Sequence, residues 1–210
     1  MPEGPPQIDT LDTPHGPARA HLHRAKAPVG ALILGHGAGG GVGAPDLVAA
    51  TGAALSQGVS VALVEQPYRV AGRRSPAPAR QLDAAWVAVV EQLAAWPLAG
   101  LAVLVGGRSS GARVACRTHA AVGAEAVLCL AFPLQPPRRA GKQASPSRLD
   151  ELEAVAVPML IVQGTGDQFG MPPAARNRDV VQVRGNHSLR SDVGAVASAV
   201  DAWLGHRIAD

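Results

Sequence analysis

The apolar run Leu101-Ala102-Val103-Leu104-Val105 passes without a break into Gly106-Gly107-Arg108-Ser109-Ser110-Gly111. A run this apolar predicts a strand buried on both faces. Beyond the glycines, Ala112, Ala115, Cys116, His119 and Ala120 recur at helical spacing. A buried strand must therefore turn sharply into a helix. Gly107-Arg108-Ser109-Ser110-Gly111 at the corner fits G-x-S-x-G, in which a serine stands at a strand tip on strained backbone. The residues two before and two after that serine must be small, or strand and helix collide. The helix start beneath it favours developing negative charge.

Strands and helices alternate along the rest of the chain. Val29 to Leu34 reads as a buried strand opening into the loop Gly35-His36-Gly37-Ala38-Gly39-Gly40-Gly41. Pro45 suits the first turn of the next helix, with Leu47, Ala50, Thr51, Ala54 and Leu55 on its apolar face. Val59 to Val64, Ala126 to Ala131, Met159 to Val162 and Asp179 to Val183 read as further strands. Leu82, Ala85, Trp86, Val89, Leu93 and Trp96 mark a long helix stopped at Pro97, with both tryptophans expected in the core. Short helices are expected over 148–154 and 172–178. A closing helix follows, with Ser191 as its N-cap. Arg19 to Ala25 alternates as an edge strand would, and residues 1–18, rich in Pro and Gly, read as a flexible surface segment. This pattern predicts one α/β domain over 19–210: a mostly parallel, doubly wound sheet with helices on both faces and no separate lid domain.

Composition excludes several partner classes. At 47% hydrophobic and 17% charged residues the chain is globular rather than disordered. The pI near 9.4 raises the question of nucleic acid. Aromatics are only 3%, and the basic residues are scattered apart from Arg73-Arg74 and Arg138-Arg139 with Lys142, so no nucleic-acid partner is expected. No apolar run approaches the ~18 residues of a membrane span, so no membrane partner is expected either. The first residues lack a basic and an apolar signal region, which implies a cytoplasmic protein. Abundant alanine and an excess of arginine over lysine hint at a bacterial source. Cys116 and Cys129 fall on a helix and a strand and read as buried, reduced thiols. No Cys/His cluster has metal-site spacing, so neither metal nor cofactor is expected. Oligomeric state is left open.

In doubly wound sheets ligand chemistry gathers at the C-terminal strand ends. Three such ends carry Ser109, Asp167 and His187, in the chain order of α/β-hydrolases. A serine hydroxyl is a poor nucleophile near neutral pH. His187 would take its proton as general base, and Asp167 would fix the imidazole tautomer. The oxyanion needs donors: the backbone N–H of Ser110, and one from the second glycine loop, assigned to Ala38. Gly107, Gly111, His36 and Gly37 then support the elbow and the oxyanion loop. The reaction implied is cleavage of a small ester or related acyl compound. Arg69, Arg73, Arg138 and Arg139 lie on loops able to border the cleft, which leaves an anionic substrate open.

These residues resemble the small α/β-hydrolase-like proteins of the KANL/Tex type, near the dienelactone-hydrolase relatives. The resemblance rests on His36-Gly37-Ala38-Gly39-Gly40 with Pro45 and Leu47, and on Gly106 to Arg113. Phe132-Pro133-Leu134, Gly164-Thr165-Gly166-Asp167 and Asn186-His187-Ser188-Leu189 complete it. It implies an α/β-hydrolase core with a Ser–Asp–His triad and supplies no substrate; some members look like scaffolds, so a silent binding module is the alternative. Ser110 departs from the family, where Met is common. A second alternative, dinucleotide binding, reads Gly35 to Gly40 as G-x-G-x-x-G, but Glu65 stands 30 positions on (65 − 35) against about 20 expected.

Overall fold

The computed structural model describes residues 5–136 and 145–208. Eight strands form one sheet: β1 (Gln7–Leu11), β2 (Ala18–His23), β3 (Gly30–Gly35), β4 (Val59–Glu65), β5 (Val103–Arg108), β6 (Ala126–Leu130), β7 (Met159–Gly164) and β8 (Arg178–Val183). Their spatial order is β1-β2-β4-β3-β5-β6-β7-β8. β2 pairs antiparallel with β1 and with β4, while β3 to β8 run parallel. Parallel neighbours need crossover connections, and helices packed on both faces bury the sheet.

Those helices are α1 (Pro45–Ser56), α2 (Pro67–Val70), α3 (Ala79–Ala95), α4 (Ser110–Thr118), α5 (Leu149–Glu153) and α6 (Val193–Ile208). Successive strand residues point to opposite faces, so the strands feed two cores. Ile33, Val105, Cys129 and Ile161 pack with α3, α4 and α5. Leu32, Leu34, Leu128, Leu160 and Val162 pack with α1 and α6. Thus β3, β5, β6 and β7, buried from both sides, hold their C-terminal tips in a fixed row. No described helix is long and apolar enough to cross a membrane.

Several expectations need correction. Residues 1–18 are not a flexible segment throughout, because Gln7 to Leu11 pair with β2 as an edge strand. Residues 172–178 are not helical. Pro172 and Pro173 lack N–H groups, and Ala175 and Arg178 exchange two backbone hydrogen bonds that lead into β8. Trp86 is buried, but Trp96 is 72% exposed. At Trp96 the backbone has already left the helix (φ −175°, ψ 126°), so helical spacing no longer sets its direction. Asp192 rather than Ser191 caps α6, accepting the Ala195 N–H at 3.1 Å. The dinucleotide alternative does not fit: α1 starts only at Pro45, which has no N–H, and buried Asp46 puts a carboxyl where a pyrophosphate would bind. Cys116 and Cys129 are free and buried, their sulfurs 3.5 Å apart.

Candidate active site

The corner between β5 and α4 is held by contacts that admit only glycine. A Cβ on Gly107 would stand 2.5 Å from the Gly35 carbonyl oxygen and 2.7 Å from the Gly111 carbonyl carbon. One on Gly111 would collide with the Gly35 oxygen and lie 2.9 Å from that of His36. Bare backbone therefore lets the first turn of α4 lie against the end of β3. Between these glycines Ser109 sits at φ 53°, ψ −106°, a conformation disfavoured for a residue with a side chain. Its N–H donates to Leu130 O at 2.9 Å, which anchors the strained residue to the end of β6.

Ser109 Oγ lies 2.9 Å from His187 Nε2, and His187 Nδ1 lies 2.8 Å from Asp167 Oδ2. In the tautomer with the Nδ1 proton facing Asp167, Nε2 is bare and is placed to accept a hydrogen bond from the serine hydroxyl. The Asp167 side chain is fully buried, so its oxygens must find donors inside the protein. Oδ2 also accepts from Gln163 Nε2 at 2.8 Å, and Oδ1 accepts the Phe169 N–H at 2.9 Å. Gln163, itself fully buried on β7, uses the same amide to reach the carbonyls of Phe132 and Gly170. The Phe169 ring packs 4.3 Å from the His187 ring at a tilt of 48°. Asp167 and His187 are thus each held from a second side.

The loop after β3 is set by a histidine. His36 Nε2 accepts the Gln66 N–H at 3.2 Å, so its proton belongs on Nδ1, which donates to Gly37 O at 2.8 Å. The Gly40 N–H reaches the same oxygen at 3.1 Å. A peptide N–H points opposite its own carbonyl. Two donors on the Gly37 oxygen therefore fix the direction of the Ala38 N–H. The Tyr68 hydroxyl donates to Ala38 O at 2.9 Å and fixes the next peptide as well. Burial pushes the His36 imidazole below its ordinary value, and the neutral form is the one this pattern needs. Ser110 is the first residue of α4, so its N–H is among those left without an intrahelical acceptor.

Sequence reasoning missed Gln163, Phe169, Tyr68 and the pair Arg108–Asp46. Tyr68 lies on α2, a single turn too short to show periodicity. Arg69 is on α2 and Arg73 just beyond it, whereas Arg138, Arg139 and Lys142 lie outside the described residues. Among the described residues no group of three His, Cys, Asp or Glu side chains is placed to hold a metal ion.

A family model described as an alpha/beta hydrolase domain matches residues 28–192. No curated protein matches the chain by sequence. Among solved structures the chain is similar to Est1E from Butyrivibrio proteoclasticus, at 16% identity, TM-score 0.77, covering 97% of this chain and 99% of that one. Dienelactone hydrolase from Anabaena variabilis is 17% identical, with TM-score 0.75 and coverage of 97% and 99%. XC6422 from Xanthomonas campestris, described as an a/b serine hydrolase without lid, is 19% identical, with TM-score 0.69 and 96% of each chain covered.

Proposed function

The chain belongs to the alpha/beta hydrolase domain family, and from that premise we propose that it is a serine hydrolase cleaving small esters or related acyl compounds through an acyl-enzyme. The observation that carries this reading is the continuous hydrogen-bond chain Ser109–His187–Asp167, with links of 2.9 and 2.8 Å. Ser109 Oγ attacks the acyl carbon while its proton passes to His187 Nε2. Asp167 keeps the Nδ1 proton in place and stabilises the imidazolium that forms. The tetrahedral oxyanion takes hydrogen bonds from the N–H groups of Ser110 and Ala38. His187 then returns the proton to the leaving group, and water repeats the cycle on the acyl-enzyme.

The substrate is small on this reading. The His187 side chain keeps 17% of its exposure, and no lid domain stands over the described strand ends. The motifs shared with KANL/Tex-type proteins belong to the same proposal, since they supply the elbow and the Phe132 carbonyl that Gln163 engages. A panel of aryl esters of rising acyl length tests it. Short chains are expected to be turned over best, and Ser109→Ala or His187→Ala to lower kcat by about 10⁴–10⁶. Near-wild-type turnover by either variant removes the triad. Preference for acyl chains of about twelve carbons, which need a long apolar groove, removes the small substrate. An inert wild type favours a silent scaffold.

A further inference from the structure

We propose that Arg108, with Asp46 behind it, is a positioning residue that clamps the oxyanion loop, the nucleophile elbow and the histidine loop into one unit. This rests on the hydrolase reading above. Arg108 immediately precedes Ser109 at the end of β5. Its Nη2–H donates to the backbone carbonyl of His187 at 2.9 Å, and its Nε–H donates to Asp46 Oδ2 at 3.3 Å. The guanidinium also fills the space against the oxyanion loop: a Cβ on Gly37 would stand 2.8 Å from Nη1 and 3.2 Å from Cδ. One rigid, planar group therefore touches the segment carrying the Ala38 N–H and the segment carrying the general base. It is joined by the chain itself to the nucleophile.

Asp46 fixes the clamp from below. It is fully buried in the first turn of α1, and its second oxygen accepts the Leu47 N–H at 3.0 Å. An ion pair in such a place is a poor source of net stability, because desolvation offsets most of the attraction. It is a good source of geometry. A guanidinium presents a fixed fork of donors, which suits two acceptors on two different segments; a lysine ammonium is a flexible point charge and holds one of them less well. The gain from Arg108 is thus expected in the alignment of Nε2, Oγ and the Ala38 N–H, where a displacement of about 1 Å can cost about 10²-fold in rate.

The test compares wild type with Arg108→Gln, Arg108→Lys, Arg108→Ala and Asp46→Asn. It measures thermal midpoints, kcat and KM on a short aryl ester, and the low-field proton signal of the His187–Asp167 hydrogen bond. Folded Arg108→Gln is expected to lose about 10–100-fold in kcat with KM within about threefold, and to shift or broaden the low-field signal. Arg108→Lys should recover part of the loss, and Asp46→Asn should fall between it and Arg108→Gln. Guanidinium ion, well below denaturing concentration, should restore Arg108→Ala by about tenfold while leaving wild type unchanged. Wild-type kcat in folded Arg108→Gln, no rescue by guanidinium, or loss that merely tracks the fraction unfolded overturns the proposal. An inert wild type overturns the hydrolase reading instead. The low-field signal still decides the clamp in that case, since a signal identical in wild type and Arg108→Gln contradicts it.

Discussion

The two glycine-rich segments of the chain look alike as sequence and behave differently in space. In the elbow, Gly106, Gly107 and Gly111 are each walled in by backbone from neighbouring strands. In the loop after β3, Gly39, Gly41 and Gly43 have nothing within 4 Å of where a Cβ would stand. Gly37 lies between these cases, against the movable end of the Arg108 side chain. A glycine's place in a motif therefore says little until the atoms around it are known. The elbow uses glycine for close approach. The loop owes its shape instead to His36, Tyr68 and the Gly37 carbonyl.

That contrast breaks down if substitutions in the two segments have similar effects. The largest difference is expected from Gly111→Ala. The atoms nearest the new methyl are main chain, from Gly35 and His36, so β3 or α4 must move. Overpacking of this kind costs about 1–3 kcal/mol or more. A lower thermal midpoint together with at least about a 10²-fold loss of kcat/KM is expected, and wild-type values for both would place the elbow elsewhere.

His36 comes next. Its folded-state value lies below the ordinary 6.5, so the native state binds fewer protons than the unfolded chain. The stability this represents is present above about pH 6.5 and is lost as pH falls from there toward the folded value. The slope is at most about 1.4 kcal/mol per pH unit for one group. His23, also lowered by burial, adds to it. Urea titrations at several pH values should show a shallower acid loss for His36→Gln than for wild type. An unchanged slope means His36 is not held neutral in the fold.

Ser110→Ala is expected to cost at most about tenfold in kcat, because the proposed donor is its backbone N–H and the hydroxyl has no chemical task. A variant as inactive as Ser109→Ala would move the nucleophile by one residue. Gly41→Ala should be the smallest change. The site is open and its φ lies outside the left-handed region. The methyl then acts mainly on the unfolded chain, for a gain of about 0.4–1 kcal/mol. A marked loss of activity would mean that this part of the loop approaches substrate closely.

The same contrast explains what could be read from the sequence. The elbow was legible because its signals are local: an apolar strand, spaced glycines and a helical repeat within some twenty residues. Ser109 and Asp167 were legible one at a time, as polar residues at the tips of buried strands, and His187 as one just beyond the last strand. Their meeting depends on the parallel order of β5, β6, β7 and β8, which the alternation of elements anticipated. Contacts between segments distant in sequence were not legible. Arg108 meets Asp46 across 62 positions and the His187 carbonyl across 79, and nothing local marks either partner. Gln163 reads in the sequence as the first residue beyond a strand, yet it lies within β7 and its amide joins Asp167 to two carbonyls. β1 was missed because a strand with only Ile8 and Leu11 as large apolar residues shows no period of its own; pairing with β2 defines it.

The central claim is that Ser109 is an activated nucleophile, and covalent labelling tests it most directly. Wild-type protein is treated with a fluorophosphonate probe, its intact mass is measured, and the adduct is mapped by peptide sequencing. One adduct per chain on Ser109, abolished in Ser109→Ala and strongly slowed in His187→Ala, is the expected result. An adduct on Ser110, or no adduct on a folded wild-type chain, would contradict the claim.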